Sequence, residues 1–305
     1  MSSQKIETAF PLTPLQLGMV LETLRHPDSG VYHGQCVARL DGRLEEELLR
    51  ETWAHLTRRH LALRSFFAWE GRDRPLQVVR SFAEIPWRTL DWSGRTEDER
   101  TTAWASLLEE DAHAAFDLAV APLMRLTLVR LSDTEHRLLW SVHHALADGW
   151  SGLLLLREML EIYHELARGE TRERVAPPSF AKFVTWLENR DSASAERYWS
   201  DRLDGLSDAT RLRLGPVGAP SPARETERLV LPDRIARGLR ISTSTHRVTP
   251  NTVAVAAWAI VLARHEYDAD EVTFGVTVSE RPAEIPGVGG SVGCYLSTVP
   301  LRVPV

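Results

Sequence analysis

Apolar residues along this chain recur with two periods. In Met124-Arg125-Leu126-Thr127-Leu128-Val129-Arg130-Leu131 they alternate with polar positions, the period of a half-buried β-strand. A turn at Ser132-Asp133-Thr134 leads into Arg137-Leu138-Leu139-Trp140-Ser141-Val142, a short apolar run rich in branched and aromatic residues, and the two strands are expected to pair. Gly34–Leu40 alternates as a further strand that stops at Gly42. Leu44, Leu48, Leu49, Trp53 and Leu56 then fall on one face of a helix. A short strand is expected at Leu76–Val79 and a polar, acid-rich helix over Glu97–Glu110. Nearer the N-terminus, Phe10-Pro11-Leu12 is extended, and Thr13 can cap a helix with Pro14 at its first position.

Past Leu166 the pattern breaks. The stretch from Gly169 to Pro178 is polar and ends in prolines, the character of a linker. Helices are expected at Phe180–Leu187, Ala193–Leu203, Ile235–Thr243 and Thr252–His265, with strands at Glu225–Leu231 and Val272–Val278. This reading gives an α/β protein with an N-terminal lobe over residues 1–170, a linker over 171–178 and a C-terminal portion over 179–305.

Composition narrows the function classes. At 305 residues, 43% hydrophobic and 26% charged, the chain has the make-up of a soluble globular enzyme. A net charge of −6 and the lack of a basic run argue against nucleic acid or a membrane surface as partner. The first residues carry no hydrophobic signal region. Cys36 and Cys294 stand far apart and suggest no disulfide framework, so a cytoplasmic setting is expected.

The chemistry gathers where the apolar strand meets the next helix, at Ser141-Val142-His143-His144-Ala145-Leu146-Ala147-Asp148-Gly149-Trp150-Ser151. An imidazole titrates near neutral pH and can accept a proton, and Asp148 is close enough in a tight loop to order the turn. Adjacent histidines at a strand end point to opposite faces, which argues against a shared metal ion. Ser151 can cap a helix beginning at Gly152.

The string His143-His144-x-x-x-Asp148-Gly149 resembles the signature of the condensation-domain superfamily of nonribosomal peptide synthetases, which includes chloramphenicol acetyltransferase. Four further strings resemble motifs of the same family in the same order. They are Pro11-Leu12-Thr13-Pro14-Leu15-Gln16, the run from Arg58 to Phe67, the run from Val272 to Pro282, and Gly289 to Arg302. Two positions depart from the pattern: Glu280 stands where a glycine is usual, and Ser297 where an asparagine is usual.

The resemblance implies two chloramphenicol-acetyltransferase-like lobes in a V, the second incomplete because family members continue further. It implies formation of an amide between a carrier-bound donor thioester and the amine of a carrier-bound aminoacyl acceptor. His144 is then the group that orients the amine and takes its proton, His143 is structural, and Asp148 pairs with a buried arginine, Arg281 or Arg64. Gly149 serves backbone conformation or substrate clearance, and Trp150, Ser151 and Ser297 border the substrate channel. The chain itself binds no cofactor or metal. Phosphopantetheine arrives on donor and acceptor peptidyl carrier proteins, with an adenylation domain as neighbour. The alternatives are an epimerisation domain and a catalytically inactive recruitment domain that binds a carrier or partner enzyme.

Overall fold

The computed structural model describes residues 5–170, 172–206, 210, 228–265 and 270–305. Strand β1 (Ile6–Pro11) leads into helix α1 (Pro14–Arg25). A reciprocal cap fixes the helix start: Thr13 Oγ1 accepts from the Gln16 N–H at 3.2 Å, and Gln16 Oε1 accepts from the Thr13 N–H at 3.1 Å. There follow β2 (His33–Asp41), α2 (Glu46–Arg59), β3 (Ser65–Ala68), β4 (Leu76–Arg80), β5 (Trp87–Asp91), α3 (Glu97–His113), β6 (Met124–Arg130), β7 (Glu135–His143), α4 (Gly149–Ala167) and α5 (Phe180–Glu188). Gly42, at φ 112°, turns the chain sharply out of β2.

One sheet has the order β2-β7-β6-β5, the other β1-β4-β3. β7 is an inner strand, antiparallel to β2 on one side and β6 on the other. Leu138, Leu139, Trp140 and Val142 are therefore all buried, which is why that segment reads as a continuous apolar run. Trp53 and Leu56 of α2 and Leu155 and Met159 of α4 pack with Leu138 and Trp140 on one face. Leu107 of α3 packs with Val129 and Leu139 on the other. Two strands are absent from the sequence reading. β1 holds a proline and β5 is a short polar edge strand, parallel to β6, so neither has a clear alternating signature.

Buried charge joins α2 to α4. Glu158 accepts from His60 Nε2 at 2.7 Å and Arg59 Nε at 3.1 Å, and the His60 side chain is fully enclosed. The helix dipole had sufficed to explain these basic residues in the sequence; for Arg59 and His60 the direct cause is this carboxylate.

Two compact units form. The first comprises the described residues up to Arg190 together with Ser279–Ser297, the second 191–278 and 298–305. This differs from a division at the 171–178 linker. Phe180, Phe183 and Val184 of α5 pack with Phe10, Val79 and Tyr295, so α5 and the returning segment belong with the first unit. The second unit contains α6 (Ser192–Leu203), α7 (Asp233–His246), α8 (Pro250–His265) and most of the paired strands β8 (Glu271–Ser279) and β9 (Leu296–Pro304). Its core is small: Ala259, Leu262 and Ala263 against Val272, with Phe274 and Val303 alongside. Of the strand expected over Glu225–Leu231, residues 225–227 lie outside the described residues, and Arg228–Leu231 are irregular. Among the described residues no helix is long and apolar enough to cross a membrane.

Candidate active site

β7 delivers His143 to the rim of its sheet, and α4 begins six residues later. The helix starts at Gly149, three residues before the expected start at Gly152, because the cap is Asp148 and not Ser151. Asp148 Oδ1 accepts from the Ser151 N–H at 2.7 Å and from Ser151 Oγ at 2.6 Å. A carboxylate outcompetes a hydroxyl at this position because it also meets the positive end of the helix dipole. Ser151, fully buried, lies in the first turn and supports the cap.

His143 points into the protein. Thr23 Oγ1 donates its own proton to the Met19 carbonyl, so at 3.0 Å it accepts from His143 Nε2. Nδ1 in turn accepts from the Ala145 N–H at 3.3 Å. One neutral tautomer satisfies both nitrogens. Burial, then the neighbouring His144 and His33, pull this imidazole down to about 4.

His144 faces the other way and is half-buried. Its main-chain N–H donates to the Tyr32 carbonyl at 2.8 Å. Among the described residues its Nδ1 is enclosed without a hydrogen-bond partner, which leaves Nε2 as the nitrogen a substrate can reach. An imidazole so placed can accept a proton from a group brought up to the rim of the sheet.

Asp148 is held from a distant part of the chain. Arg281 Nη2 lies 3.0 and 3.1 Å from its two oxygens, and the Tyr295 N–H donates to Oδ2 at 3.1 Å. Arg281 Nη1 also donates to the Val288 and Ser291 carbonyls, and its guanidinium stacks 4.1 Å from the Tyr295 ring. Ser151 Oγ accepts from the Gly293 N–H at 3.1 Å. Both members of the ion pair are buried, and each of their neighbours supplies a hydrogen bond, the condition under which such a pair is tolerated in a protein interior.

The remaining residues singled out in the sequence fall in different places. Arg64 does not meet Asp148. It ends a short helical turn before β3, where it donates to the Thr57 and Arg58 carbonyls at the end of α2, to the Arg80 carbonyl and to Glu7. Ser297, half-buried in β9, stands outside the hydrogen-bonded cluster around Asp148 among the described residues. Trp150 is 57% exposed, with its indole N–H donating to the Gly289 carbonyl at 3.0 Å. Gly149 does not have a positive φ, and a Cβ built on it would meet nothing within 4 Å. Neither backbone conformation nor packing within the protein accounts for a glycine there.

The chain matches the condensation domain family over residues 6–305. The chain belongs to that family. It is the condensation domain of nonribosomal peptide synthetases, and its relatives are the large synthetases themselves. It is 40% identical to chondramide synthase cmdD of Chondromyces crocatus, over 90% of this chain and 7% of that protein. It is 32% identical to bacitracin synthase 1 of Bacillus licheniformis, over 99% of this chain and 6% of that protein. Across the curated relatives it spans between 4% and 12% of their length. Its mixed α/β fold matches the first condensation domain of the calcium-dependent antibiotic synthetase, solved with a substrate analogue. That match has a TM-score of 0.82 at 23% identity and covers 98% of this chain and 70% of that one.

Two residues that hold the condensation-domain turn escaped the sequence reading. Gln16 Nε2 donates to the Ala145 carbonyl at 2.8 Å and to Gln77 Oε1 at 2.9 Å, tying α1 and β4 to the loop. Its signal was present, since it is the third residue of a capped helix, but a cap explains a glutamine without any contact beyond the helix. Tyr32 had no signal of its own. Cys294, beside Asp148, is fully buried, and burial together with that carboxylate pushes its thiol up to about 12, so it is an inert packing group.

Proposed function

We propose that this domain joins a donor acyl or peptidyl thioester to the amine of an aminoacyl acceptor, each carried on the phosphopantetheine arm of a carrier protein. The acceptor nitrogen attacks the thioester carbonyl carbon. The C–N bond forms, the C–S bond breaks, and the donor thiol leaves with a proton. His144 orients the amine, takes its proton as charge develops and returns it to the departing sulfur. An α-amino group has pKa ~7.7–8.0, so roughly a tenth or more is already nucleophilic at neutral pH, and a weak base suffices.

The observation that carries this reading is the division of labour within the turn. His143 is fully committed inside the protein, while His144 has a fixed main chain and a reachable Nε2. The open space at Gly149 supports passage of a substrate past the start of α4. The test mixes one carrier loaded with an acyl donor, one loaded with an amine acceptor, and the 305-residue chain, and reads the mass of the acceptor carrier. Transfer is expected with the parent chain. Binding of a carrier without transfer under any substrate pairing would favour the recruitment alternative.

A further inference from the structure

Tyr32 has φ 57°, the left-handed region, and is one of two non-glycine residues with positive φ among the described residues. For an L-residue without a short polar side chain this costs roughly 1–2 kcal/mol, so something nearby must hold it. The Tyr32 carbonyl is the acceptor for the His144 main-chain N–H. The residue that follows, His33, is fastened from several sides. Its Nε2 donates to Asp111 Oδ2 of α3 at 3.0 Å, its ring stacks on Phe116 at 5.0 Å, and its position in β2 lies directly opposite His143 in β7. The side chains of His33 and Asp111 are only 4% and 6% exposed.

Asp111 is itself locked. Arg125 Nε reaches Oδ1 at 2.6 Å, while Ser141 Oγ and Gln35 Nε2 donate to Oδ2 at 2.6 and 2.7 Å. His33, Gln35, Arg125, Ser141 and His143 are brought together because their strands pair in that register. This polar cluster sits where an apolar core would be more stable by burial alone. Its members converge on one imidazole whose neighbour in the chain is strained.

We infer that His33, clamped by Asp111, is a positioning residue for His144. The path runs from Asp111 to His33, through the left-handed backbone of Tyr32, to the carbonyl that fixes the His144 main chain. This rests on His144 being the catalytic group; the geometric part of it does not.

The test uses the full chain with isotope-labelled histidine and the variants His33→Ala, His33→Gln and His33→Ala with Tyr32→Gly. Exchange of the His144 amide proton is followed by magnetic resonance, with the His136 amide on the same strand as the internal reference. In His33→Ala the His144 amide is expected to exchange about tenfold faster or more while His136 is unchanged. Turnover in the two-carrier assay is expected to fall about 10- to 100-fold with KM unchanged, the scale of a small misplacement. His33→Gln, which can still donate to Asp111, and Tyr32→Gly, which adopts the left-handed backbone freely, should each restore much of both. Unchanged exchange at His144, or equal acceleration at His136, would overturn the inference. Absence of transfer by the parent would count against the proposed function, and the exchange measurement would still decide the positioning role.

Discussion

Both nitrogens of His143 are engaged, one donating to Thr23 and the other accepting from Ala145. A second proton on the ring would face the Ala145 N–H, so protonation breaks the arrangement. The native imidazole titrates near 4 and an unfolded one near ~6.5, so in that interval the unfolded chain binds more protons. Stability from this residue is therefore complete above about pH 6.5 and lost as pH falls towards 4, by about 3 kcal/mol in all. Urea midpoints for the parent should fall over that range, and His143→Gln should flatten the slope. An equal slope in both would count against the assignment. Gly149 makes a separate prediction. Since a Cβ there meets no protein atom, Gly149→Ala should leave the melting temperature unchanged or slightly raised. Turnover should nonetheless fall by about tenfold or more if the space serves the substrate. A fully active Gly149→Ala variant would remove that role.

At the scale of elements, the turn is held by a strand behind it, a helix ahead of it and a returning segment beside it. Asn is as good a cap as Asp, so Asp148→Asn removes the ion pair to Arg281 and leaves the cap in place. It strands a buried guanidinium and should cost about 3–5 kcal/mol in a denaturant titration. A loss below ~1 kcal/mol would mean that the pair contributes little. The strand pair β6–β7, the capped start of α1 and the position of the turn were legible in the sequence because each has a local signature. Asp111 was not. It lies among Glu97, Asp98, Glu99, Glu109 and Glu110 on a helix that reads as solvated, and only tertiary packing against β2, β6 and β7 singles it out. Arg64 misled for the opposite reason. A buried arginine in an apolar stretch needs a partner, but the sequence does not say whether that is a catalytic carboxylate or the carbonyls at a helix end.

On the scale of the whole molecule, the first unit is completed by residues far along the chain. Arg281, Gly293 and Tyr295 reach Asp148 and Ser151 from more than 100 positions away. The order of motifs carried the family from sequence alone, because each motif keeps its own local string of residues. Chain order does not reveal that α5 and Ser279–Ser297 pack with the first unit; that depends on Phe180, Phe183 and Tyr295 meeting. The central claim is that His144 does the chemistry in this frame. The most direct measurement is the single-turnover rate of amide transfer between two loaded carriers, compared for the parent chain and His144→Ala at equal folded concentration. The account predicts a loss of about 10²–10⁴-fold with the melting temperature preserved. A His144→Ala rate within about threefold of the parent would contradict it, since so small a change is under ~1 kcal/mol of barrier.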